Sequence, residues 1–79
     1  METTWLEQRL DALPVGRSEV VIGPHCAIQV KRSERGAYAV VDDPGSKHNG
    51  LNAYSSTPSL ALALLRYKLA AIEEDGLSL

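Results

Sequence analysis

The sequence predicts an α+β domain: a helix, three antiparallel strands with a candidate fourth, and a second helix, both helices lying on one face of the sheet. Three observations carry this. Apolar residues recur at helical spacing near both ends of the chain. They alternate with polar residues in the middle. Gly, Pro, Asn and Ser punctuate the segments between.

The first helix begins at a capping box, Thr4-Trp5-Leu6-Glu7, in which the hydroxyl takes a free backbone N–H and the carboxylate reaches back to the cap. Leu6, Leu10 and Leu13 form its apolar stripe, and Pro14 ends it. Glu7, Arg9 and Asp11 are read as its solvated face, and Trp5 as a core or core-edge side chain, because an indole buries a large apolar area. Glu19-Val20-Val21-Ile22 is a short β-branched strand closed by Gly23-Pro24. In the next strand Cys26, Ile28 and Val30 share one face, Gln29 and Lys31 the other. Ser33-Glu34-Arg35-Gly36 turns the chain, and Ala37–Val41 returns until Asp42-Asp43-Pro44-Gly45 stops it. From Asp42 to Ser56 the chain is loop-like, with Leu51–Tyr54 the candidate fourth strand; segments of this length are commonly functional or mobile. The last helix has Thr57 as N-cap, Pro58 at its first position and Gly76 at its expected end. The predicted core is Leu6, Leu10, Leu13, Ile28, Val30, Leu62, Leu65, Leu69 and Ile72.

At 79 residues the chain is expected to form a single domain, 1–79, and to bury only about 60% of its unfolded surface. Apolar residues at 44%, charged residues at 23% and a net charge of −2 argue against disorder and against a dedicated basic nucleic-acid binder. No apolar run is long enough to span a bilayer, and from Met1-Glu2-Thr3-Thr4 no secretory leader is expected. One cysteine, Cys26, forms no internal disulfide and suits a reducing cytoplasm.

The chemistry-bearing types are sparse. His25, Cys26 and His48 lack an orienting carboxylate placed by any motif, and Cys26 sits on an apolar strand face where an inert thiol is expected. They also fall one ligand short of a structural zinc site. Gly45 and Gly50 belong to no phosphate-cradling pattern, and Asn49-Gly50 reads as a turn. No enzyme, cofactor or metal is expected. The order of elements is shared with the double-stranded RNA-binding domain, but Ser55-Ser56-Thr57-Pro58-Ser59 carries none of the lysines that family uses to clamp phosphates. Lys31, Arg32 and Arg35 read as a solvated hairpin tip.

Two constellations remain. The last helix has two apolar stripes, one of Leu62, Leu65, Leu69 and Ile72, the other of Leu60, Leu64, Tyr67 and Ala71. The second either packs on the first helix or stays exposed as an association surface, for a homodimer or a foreign partner. The acids Asp42 and Asp43, and Glu73, Glu74 and Asp75 near the end of the last helix, are either solvating or offered to arginines on a partner. As a binding surface these five acids would be joined by Tyr54 or Tyr67 as an aromatic anchor.

With Asp42-Asp43, Glu73-Glu74-Asp75 and the doubled stripe on Leu60–Ile72, the chain resembles small cytoplasmic proteins of phages and mobile elements, and is similar in format to anti-CRISPR inhibitors. The basic Lys31-Arg32 departs from a purely acidic mimic. The resemblance implies a non-enzymatic inhibitor in the bacterial host cytoplasm that binds a subunit of a CRISPR surveillance complex and blocks capture of target DNA. A homodimeric structural or regulatory module of a mobile element, closed through Leu60, Leu64, Tyr67 and Ala71, is the alternative. An RNA-binding domain is the weaker one.

Overall fold

The computed structural model describes residues 5–22 and 26–78. Helix α1 (Trp5–Asp11) leads into strands β1 (Ser18–Ile22), β2 (Ala27–Ser33), β3 (Gly36–Val41) and β4 (Asn52–Ser55), and helix α2 (Pro58–Ser78) closes the chain. The strands form an antiparallel meander in the order β1-β2-β3-β4, so the candidate fourth strand is real and the fold is α+β. Thr4 and the Gly23-Pro24-His25 connection lie outside the described residues.

Turn chemistry sets the register. Gly16, at φ 88°, is the third residue of a turn closed by the Arg17 amide donating to Pro14 O at 3.0 Å, the position where a type II turn requires positive φ. Ser33 pairs with Gly36 across the β2–β3 hairpin, and neither Glu34 nor Arg35 has positive φ, which excludes the primed turns.

Because antiparallel partners share a face, the pairings Val21–Ile28–Val41 and Val30–Ala39–Ala53 line one side of the sheet. That side is buried under α2, which lies mainly over β3 and β4, while α1 packs beside α2 and brings Leu10 into the same core. Cys26, Ile28 and Val30 are buried together, as the alternation requires. Small residues let the helix sit close: Ala37, Ala39, Ala53 and Ala61 are all buried, positions that a search for large apolar side chains passes over.

Several expectations are corrected. Trp5 is 68% exposed, its ring lying 5.4 Å from the Arg9 guanidinium, which also pairs with Glu19. Ile72 is 39% exposed. Its helix has 21 residues, about 31 Å at 1.5 Å per residue, and outruns strands of four to seven residues. Gly76 does not end α2, which continues to Ser78. Asp11 and Arg32 are not merely solvated. The Arg32 guanidinium donates to Asp11 O at 2.8 Å, tying the end of α1 to β2.

Candidate functional site

Three features lie outside the core: the outer side of α2, the open side of the sheet, and the loop between β3 and β4.

The outer side of α2 settles the fate of its second stripe. Leu60, Leu64 and Tyr67 are exposed, Tyr67 by 75%, with Ala63 and Ala70 exposed beside them and Ala71 half-buried. At 100° per residue these six positions fall within about 120° of arc, a sector without a charged residue over three turns. The stripe is therefore not buried against α1. The opposite stripe fills the core, with Leu65 fully buried, Leu62 buried and Leu69 partly so.

The open side of the sheet carries Val20, Ile22, Gln29, Lys31, Tyr38, Val40 and Tyr54, placed there by the same pairings that bury their neighbours. Tyr54 therefore points away from the helices while Tyr67 points away from the sheet. The two tyrosines stand on opposite outer surfaces and cannot anchor one flat contact.

The β3–β4 loop is tightly built. The Asp43 carboxylate accepts from Gly45 N at 3.2 Å and, across to β2, from Ala27 N at 3.4 Å; the Asp43 amide donates to Asn49 Oδ1 at 2.9 Å. The Gly50 amide donates to Val41 O and the Leu51 amide to His48 O, and Gly50, at φ 93°, makes Asn49-Gly50 the turn its sequence suggests. His48 Nε2 lies 2.9 Å from Glu73 Oε2, clipping the loop to α2. Of the five acids, Asp42 is exposed, Asp43 organises the loop, and Glu73 is exposed but engaged with His48. The side chains of Glu74 and Asp75 lie outside the described residues. The loop and α2 thus bring Glu73 and the Asp42-Asp43 pair to one end of the molecule, two segments that sequence spacing alone does not join.

The opposite end, at the β2–β3 hairpin, gathers four basic residues alongside the exposed acids Glu34 and Asp11. Arg17 and Arg35 are exposed there, Lys31 is half-buried on the open sheet face, and Arg32 reaches α1. Arg17 joins this group because its carbonyl accepts the Arg32 amide, a contact that no local sequence signal carries.

Cys26 is a buried free thiol. Among the described residues no group of three or more His, Cys, Asp or Glu side chains is gathered to hold a metal ion, and no helix is long and apolar enough to cross a membrane. His25 lies outside the described residues. No protein-family model matches the chain, and no curated protein or solved structure is significantly similar to it.

Proposed function

We propose that this protein is a non-enzymatic protein-binding inhibitor of the anti-CRISPR type, which docks on a protein subunit of a CRISPR surveillance complex and blocks its capture of target DNA. The observation that carries the binding part is the outer side of α2. Leu60, Leu64 and Tyr67 form a ridge flanked by Ala63 and Ala70, and a charge-free apolar sector left in water gains by being covered. A ridge of Leu and Tyr beside small residues suits a partner helix laid against it. Asp42 and Glu73 at one end of the molecule would steer a basic partner into register. The resemblance in format supplies the target class.

The same ridge supports a second reading, a homodimer closed through Leu60, Leu64, Tyr67 and Ala71, because a two-fold contact needs one self-complementary patch. Leu64→Glu separates the outcomes, since it charges the ridge without touching the core. Under the inhibitor reading the wild-type protein is monomeric by light scattering, co-purifies with a named effector subunit, and loses that subunit on Leu64→Glu. A wild-type dimer that Leu64→Glu dissociates, with no effector bound, would decide for the second reading. Retention of an effector subunit by the variant would remove the ridge from both.

A further inference from the structure

The open sheet face holds an aromatic ring fixed in place by its neighbours. Tyr54 on β4 lies across β3 at Gly36 and reaches β2, where its hydroxyl is 3.2 Å from Ser33 Oγ. A Cβ built on Gly36 would meet the Tyr54 ring at 3.3 Å and the Ser55 carbonyl oxygen at 2.6 Å, so glycine is what lets the ring settle onto the strand. Tyr54 is nonetheless 58% exposed. Ordering a tyrosine this way before a ligand arrives lowers the entropic cost of stacking on it.

The surroundings favour one kind of ligand. Lys31, Tyr38 and Tyr54 are successive cross-strand partners on β2, β3 and β4, so they form one row across the face. In a chain of net charge −2, the residues that register places on this face include no carboxylate. Lys31 is their one charged side chain, and at the same end of the sheet Glu34 and Arg35 stand exposed on the hairpin. A lysine in the same cross-strand row, with no carboxylate on the face to offset it, disfavours a stacked arginine from a protein partner. It favours a planar group joined to an anion.

We propose that the open sheet face binds single-stranded nucleic acid, with a nucleobase stacked on Tyr54 and the backbone phosphates drawn to Lys31 on that face and Arg35 at its hairpin edge. Every base has a flat π face, so such a platform tolerates sequence, and the phosphates make binding salt-dependent. This activity lies on the side of the molecule opposite the α2 ridge and does not depend on the protein-binding reading.

The test is fluorescence anisotropy of short fluorescein-labelled oligothymidylate and oligouridylate at low salt, with Leu64→Glu as a control for the opposite face. The wild-type protein and Leu64→Glu should bind alike. Tyr54→Leu, which keeps an apolar cover over Gly36, should weaken binding about tenfold or more, and Tyr54→Phe should retain it. Lys31→Gln should reduce the slope of log affinity against log salt by about 0.7, the release expected for one single-strand phosphate contact. Circular dichroism checks that each variant is folded. Amide shift mapping on the wild-type protein supplies a readout independent of any variant, with perturbations expected at Lys31, Tyr38 and Tyr54 rather than on α2. The proposal is overturned if neither oligonucleotide binds, if Tyr54→Leu binds as tightly as wild type, or if the shifts map elsewhere. It is equally overturned if the face binds an arginine- or proline-rich peptide through Tyr54 and no oligonucleotide.

Discussion

The first turn of α2 has backbone donors to satisfy, and the chain supplies acceptors from two places, one local and one distant. Thr57 Oγ1 accepts from Leu60 N at 3.3 Å, as its N-cap position foretells. Pro58 has no donor to satisfy. The Ser59 amide and hydroxyl, at 2.9 and 2.8 Å, both go to the carboxylate of Asp11, which is 48 residues earlier. A negative charge there also complements the positive end of the helix dipole. The local cap was legible in the sequence because it depends on residues three apart. The Asp11 contribution was not, because it exists only once α1 has docked. Asp11→Ala should therefore cost about 1 kcal/mol, and Asp11→Asn less, read as a lower urea midpoint at unchanged slope. An unchanged midpoint for Asp11→Ala would mean that water replaces the carboxylate at no cost.

At the scale of elements, α2 shows what periodicity can and cannot say. The wheel separates two apolar stripes but carries no sign telling which one meets the sheet. That choice follows from packing, where Ala61 lets the Leu62–Leu65 side approach the alanines of β3 and β4. Two adjacent leucines give the contrast directly. Leu65 is fully buried and Leu64 is 43% exposed. Leu65→Ala should cost about 2–5 kcal/mol through lost burial and a residual cavity, whereas Leu64→Ala should stay within about 0.5 kcal/mol. Chemical denaturation of the two variants checks this, and equal losses would mean that the stripes are assigned the wrong way round. The strands were easier to read than the helices' outer limits. Alternation from Cys26 to Lys31 placed Ile28 and Val30 inward. Trp5 and Ile72, by contrast, are apolar residues near the outer ends of helices that stay exposed, and hydrophobicity alone does not report where the packed sheet stops.

Over the whole molecule the charges are polarised in a way the net value of −2 conceals. Arg17, Lys31, Arg32 and Arg35 outnumber Glu34 and Asp11 near the β2–β3 hairpin, and Asp42, Asp43 and Glu73 outnumber Lys47 near the β3–β4 loop. Ser59 and Glu73 mark the two ends on α2 and are about 21 Å apart at 1.5 Å per residue. That exceeds twice the ~8 Å over which physiological salt screens a charge, so the fields of the two ends are largely independent. Glu73 also stands more than a turn before Ser78, the end of α2, so the helix dipole opposes it only weakly. Its pairing with His48 is surface-exposed on the glutamate side and is worth about 0–1 kcal/mol. Asp42→Asn with Glu73→Gln should consequently leave stability within about 1 kcal/mol of wild type while removing two charges from the acidic end. If that end steers a basic protein partner, stopped-flow association should slow several-fold and its salt dependence should flatten, with dissociation nearly unchanged. Leu64→Glu should do the reverse, speeding dissociation because it damages the contact rather than the approach. Association rates and salt dependence identical to wild type in the doubly neutralised protein would reduce the acids to solvation and leave the α2 ridge to carry recognition alone.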